Sequence, residues 1–196
     1  MNKINKQLRQ IKGEVLECRK CSLYKSRILP VIGEGNHRAE IMLIGEAPGA
    51  SEAKAGRPFF GAAGKVLDEL LEAVGIKRKE IYITNILKDR PPENRNPLKE
   101  EIEACTPYLI RQIEIIRPKI IGTLGNYATA YLLERFSLKD KVQGISKIHG
   151  KVFEAEANFG IIKIIPFYHP AVVVYNASTK KILKKDFQVL KNLSKN

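Results

Sequence analysis

Tryptophan is missing from the 196-residue chain, and methionine (2), histidine (3) and cysteine (3) are scarce. Three cysteines cannot all pair, so a disulfide framework is not expected. A reducing cytosol with a metal or cluster role suits them better. A Ser–His or Cys–His hydrolase would have to be built from His37, His149 or His169, and no nucleophile elbow accompanies any of them. No apolar run approaches the ~20 residues that cross a bilayer. Met1 to Lys12 is polar and basic, without the apolar centre of a secretion signal. No internal repeat or low-complexity tract occurs. Acidic residues are also few: 21 Asp and Glu against 34 Lys and Arg give a net charge of +13. That excess points to a polyanion, because each neutralised phosphate releases counterions; basic surfaces also occur on proteins that bind no nucleic acid. Abundant lysine and isoleucine with no tryptophan suggest a heat-adapted host.

A length of 196 residues fits a single domain, 1–196, with a proper core. Apolar spacing from Ile4 to Glu17 is helical, as it is over 62–74, 98–117, 126–134 and 179–193. Short buried strands are expected at 41–44, 81–85, 119–124, 152–153 and 161–167, and Gly33-Glu34-Gly35-Asn36 reads as a turn. Strands alternating with helices predict an α/β fold, a three-layer αβα sandwich around a mainly parallel sheet.

Four segments fall where buried runs stop, hence at one edge of such a sheet. They are Gly45-Glu46-Ala47-Pro48-Gly49, Gly56-Arg57-Pro58-Phe59-Phe60-Gly61, Asn85, and His169-Pro170-Ala171. An acid, an aromatic ring, an amide and an imidazole on one rim make a pocket for a flat heterocycle, and in a basic chain a nucleobase is the first to consider. Glycine after a strand permits a sharp turn and close approach to a ligand. The Walker pattern fails, since Val66 follows Gly64-Lys65. Each segment also has a structural reading: a tight turn at Gly45, core packing at Phe59, a turn-capping amide at Asn85, a structural imidazole at His169.

Cys18-Arg19-Lys20-Cys21 offers two thiols at metal-ligand spacing, with Cys105 far along the chain. A tetrahedral zinc site or an iron–sulfur cluster would need a fourth ligand. A redox dithiol is the alternative, although the pair follows a helix rather than a strand.

Taken in order, these stretches resemble the family 4 uracil-DNA glycosylases, the iron–sulfur branch of that superfamily. Also matching are Gly33-Glu34-Gly35-Asn36, Tyr82-Ile83-Thr84-Asn85 and Arg90-Pro91-Pro92-Glu93-Asn94-Arg95, and the likeness runs from Cys18 to the final helix. The resemblance implies a four-stranded parallel sheet, uracil flipped out of DNA into a pocket at the strand ends, and hydrolysis of its N-glycosidic bond to leave an abasic site. It implies that Phe59 stacks on uracil, Asn85 reads its edge, and His169 contacts a pyrimidine oxygen. Gly45, Glu46 and Ala47 would line base and sugar, with Glu46 at the catalytic acidic position, and Glu52 would crowd C5 against the thymine methyl. It also implies a [4Fe-4S] cluster. The family usually has cysteine in the Lys-Cys-Arg-Pro-Pro stretch, whereas this chain has Asp89. The expected ligands are therefore Cys18, Cys21, Cys105 and Asp89, a carboxylate replacing one thiolate. The expected partner is uracil-containing DNA, single- or double-stranded, with a sliding clamp as a candidate protein partner, no membrane, and a cytoplasmic, nucleoid-associated monomer. Rival readings are a relative acting on another deaminated base and a non-catalytic nucleic-acid-binding module.

Overall fold

A computed structural model describes residues 3–194. Among the described residues, eight α-helices flank six strands: α1 (Lys3–Leu16), β1 (Glu34–Gly35), β2 (Ile41–Gly45), α2 (Ala50–Ala55), α3 (Ala62–Ala73), β3 (Tyr82–Asn85), α4 (Lys99–Ile116), β4 (Ile120–Leu124), α5 (Asn126–Arg135), α6 (Ile145–Ile148), β5 (Phe153–Ala157), β6 (Gly160–Phe167), α7 (Ala171–Tyr175) and α8 (Thr179–Leu193). The sheet order is β1-β3-β2-β4-β6-β5. Its four central strands run parallel, as expected, and β1 and β5 add antiparallel edges, making six strands where four were expected. The turn expected at Gly33–Asn36 contains β1, whose two residues pair with Tyr82 and Ile83.

The central strands are mostly apolar because both faces are covered. Alternation sorts their side chains. Met42, Ile44, Tyr82 and Ile121 pack with residues of α1, α4 and α5 on one face. Ile41, Leu43, Ile83 and Ile120 pack with residues of α3 and α8 on the other. The period of two thus produces the three layers.

Parallel pairing puts the C-terminal ends of the four central strands at one edge. Gly45 pairs with Asn85, and Leu124 with Phe167. The chain goes from β2 to β3 on one side and then to β4 on the other, so a topological switch point lies at the tip of β2. There the two connections diverge and leave a crevice.

Candidate active site

The crevice is a pocket of about 340 Å³ lined by Glu46, Ala47, Pro48, Gly49, Glu52, Phe59, Ala63, Asn85, Pro91, Asn94, Arg95, His169 and Ala171. Six of the seven residues expected to bind a base, namely Glu46, Ala47, Glu52, Phe59, Asn85 and His169, meet here. Gly45 lies behind the wall. A Cβ on Gly45 would stand 2.4 Å from Asn85 Oδ1 and 2.7 Å from the Phe59 ring. Its missing side chain is what lets the amide and the ring share the pocket. A larger depression of about 610 Å³ between α1 and α4 includes Arg117, just before β4 begins. It therefore lies at the opposite edge of the sheet and contains none of the six residues.

Asn85 Oδ1 is buried and accepts no hydrogen bond, the one such side-chain atom among the described residues. A buried acceptor without a donor costs about 1–3 kcal/mol. A ligand N–H in the pocket would relieve that cost. The backbone below Asn85 is firmly held: Ile86 N–H donates to Gly45 O (2.9 Å) and Leu87 N–H to Glu46 O (3.0 Å).

Phe59 has a left-handed backbone, φ 48°, a conformation disfavoured for a bulky residue and kept only where its surroundings enforce it. The Glu52 carboxylate accepts the N–H groups of Phe60 (2.9 Å) and Gly61 (2.7 Å). Arg78 donates to Pro58 O (2.7 Å) while also bonded to Glu34 and Asp68. A Cβ on Gly64 would stand 1.9 Å from Phe59 O, so the turn rests directly on the first turn of α3. Glu52 thus braces the aromatic turn as well as lining the pocket.

His169 sits two residues beyond β6, its ring stacked against Phe59 with centroids 5.5 Å apart and planes 29° from parallel. Burial pushes its pKa down to about 4, so the ring is neutral at physiological pH. Ala171 N–H donates to Nδ1 (3.2 Å), which assigns the proton to Nε2. A neutral imidazole with a fixed Nε2–H is a donor for developing negative charge. Burial raises the Glu46 pKa above its ordinary value.

The cysteines come from three segments: Cys18 after α1, Cys21 before a 3-10 turn at Ser22–Ser26, and Cys105, buried in α4. The Cys21 thiol feels the charges of Cys18 and Asp89, and the Cys105 thiol those of Cys21 and Asp89. Burial raises both thiols, Cys105 to about 11, so protons occupy them until a cation takes their place. Among the described residues, no group of three or more His, Cys, Asp and Glu is arranged to hold a metal ion. The donor chemistry fits three thiolate corners of a cluster. Asp89 adds a carboxylate, but one gripped by Arg27 through Nε (2.7 Å) and Nη2 (2.6 Å).

Sequence reasoning missed Asn94, Pro91 and Ala63 in the lining, and Lys88, which is fully buried beneath Asn85. Arg95 lines the pocket while paired with the buried Glu101 (2.5 Å). Val172 and Val173 pack against the core; Val174 (51% exposed) and Tyr175 (89%) are the residues that protrude beside the pocket.

Fold and site define an α/β protein with a switch-point pocket for a planar polar heterocycle. The family model described as "Uracil DNA glycosylase superfamily" matches residues 32–191. The chain is 48% identical over 182 residues to a type-4 uracil-DNA glycosylase of Saccharolobus solfataricus, covering 92% of this chain and 83% of that one. Against the type-4 enzyme of Sulfurisphaera tokodaii it is 46% identical over 188 residues (95% and 84%), and against that of Archaeoglobus fulgidus 45% over 186 (95% and 92%). The chain belongs to the uracil-DNA glycosylase superfamily, among its type-4 members.

Proposed function

We propose that the protein is a monofunctional, single-domain DNA repair glycosylase that excises uracil. The observation that carries this reading is the unpartnered Asn85 Oδ1 facing a pocket that also holds Phe59 and the His169 Nε2–H. Uracil presents N3–H to such an acceptor and O4 to the amide NH₂. Cytosine presents a lone pair at N3 and an amino group at C4, leaving both halves of the amide mispaired.

A base in a duplex must be extruded, at a cost of a few kcal/mol that pocket contacts offset. Phe59 gives the ring an apolar wall, and Glu52 narrows the pocket where C5 would lie. As the N1–C1′ bond lengthens, the electron pair moves onto uracil and His169 Nε2–H stabilises the developing oxyanion. The Glu46 carboxylate stabilises the cationic sugar, directs water to C1′ and accepts the water's proton. Among the described pocket residues there is no lysine to form a Schiff base, in keeping with simple hydrolysis. The exposed Val174–Tyr175 pair would fill the gap left in the stack, and the +13 charge supports contact with DNA phosphates.

Cys18, Cys21, Cys105 and Asp89 would hold a [4Fe-4S] cluster, whose contribution would be structural, tying the end of α1 to α4 and to the loop after β3. The test is a panel of oligonucleotides bearing uracil, hypoxanthine, thymine or cytosine. Release confined to uracil supports the reading. Release of hypoxanthine without uracil would favour a relative acting on deaminated purines.

A further inference from the structure

Lys88 is fully buried, and the chemistry described so far gives it no task. A buried polar group is tolerated only when it is hydrogen-bonded. Here Nζ has three partners, Thr84 Oγ1 (2.8 Å), Asn85 O (2.7 Å) and Gln112 Oε1 (2.9 Å), all of which accept from it. Gln112 is fixed from its other side, its amide donating to Ile32 O (2.9 Å) and Tyr82 Oη (3.1 Å). The lysine's own backbone is pinned as well, its N–H donating to Cys105 Sγ (3.4 Å) and its carbonyl accepting Val31 N–H (2.7 Å).

One of the three acceptors is the carbonyl of Asn85 itself. Asn85 is the last residue of β3; the peptide plane beyond it is held on one side, where Ile86 N–H donates to Gly45 O (2.9 Å), and its carbonyl is left to Lys88. The side chain of Lys88 turns back over three residues and bonds that plane to Thr84 and, through Gln112, to α4. An apolar side chain of similar length would fill the volume without the directional bonds, so a lysine is required only if the orientation of the peptide matters.

We propose that Lys88 is a positioning residue for base recognition, locking the tip of β3 so that the Asn85 amide is presented to the base in one orientation. The inference rests on the glycosylase reading, and a double-mutant cycle separates the two. Uracil release is measured for wild type, Lys88→Met, Asn85→Ala and the double variant, with iron content and melting temperature recorded for each. Lys88→Met should lose about tenfold or more in kcat/KM, as expected when buried acceptors lose their donor, weaken product inhibition by free uracil, and leave iron content unchanged. In the Asn85→Ala background the same change should cost almost nothing, because the residue it positions is gone. Equal losses in both backgrounds, or full activity in Lys88→Met, would overturn the proposal. If Lys88→Met does not fold, Thr84→Val removes one acceptor and is run through the same cycle with the same criteria. A wild-type protein that releases no uracil sinks the glycosylase reading; release with an additive cycle sinks only this inference.

Discussion

The imidazole of His169 lies against the ring of Phe59, 5.5 Å between centroids. One residue follows β6 and the other sits in a strained turn before α3, so their contact joins distant parts of the chain in one wall. The contact shields the imidazole from water on one side, and burial keeps it neutral down to about pH 4. His169→Ala should lower the rate of uracil release by ~10²–10³-fold, the usual effect of deleting a donor to a developing oxyanion. Single-turnover kinetics at saturating enzyme checks this, and near-normal rates would remove His169 from the chemistry.

The pH dependence follows from the two shifts. His169 is already neutral above about pH 4, so the acid limb of the rate profile should belong to Glu46 and lie above that group's ordinary pKa. Glu46→Gln should abolish that limb along with most of the activity. Stability behaves separately. The His169 pKa is lower folded than unfolded, so the unfolded state binds the extra proton between about pH 6.5 and 4 and stability falls as pH drops through that window. Thermal melts of wild type and His169→Ala across the window should converge towards its acid end.

Gly45→Ala tests the close packing behind the pocket. The glycine does not have a positive φ, so alanine meets no backbone strain, but its Cβ would press on Asn85 Oδ1 and Phe59. Uracil release should fall at least tenfold by kcat/KM while far-ultraviolet circular dichroism stays unchanged. Full activity would show that the amide and ring need not be held so closely.

Glu52 has two tasks that substitution can separate. Glu52→Gln keeps an oxygen for the Phe60 and Gly61 N–H groups, whereas Glu52→Ala orphans both. The alanine variant should lose about 1–2 kcal/mol of stability and most of its activity. The glutamine variant should retain the fold and the exclusion of thymine. Calorimetry and thymine-containing substrates measure the two effects.

Much of this was legible in the sequence because the signals are local. Runs such as Ile41–Ile44 and Lys119–Leu124 end in Gly45 and Gly125, and strands buried on both faces put their tips at one edge. The short helices α2 and α7 were not legible, since five or six residues carry too little periodicity. The strand Glu34–Gly35 exists only through its pairing with β3. Lys88 reads as a surface residue because its partners include Gln112, 24 positions away. The bracing role of Glu52 was hidden for a similar reason: its partners are backbone N–H groups, which no side-chain pattern reveals.

Arg27 and Asp89 bear on the cluster. A carboxylate held by a guanidinium fork is a weaker iron ligand than a free thiolate. The purified protein should be brown and contain sulfide-bearing iron. Asp89→Cys should retain iron longer under a chelator, and Asp89→Ala should shift the electron paramagnetic resonance signal towards a three-iron cluster. Colourless protein containing zinc would contradict the cluster.

The most direct test of the whole account is the incubation of purified protein, cluster intact and at elevated temperature, with DNA carrying a single uracil. The account predicts one free uracil per lesion, an abasic site that is cleaved only on later alkali treatment, and no such release from Asn85→Ala at comparable rates. Uracil left in the strand, or a strand nicked without alkali, would contradict it.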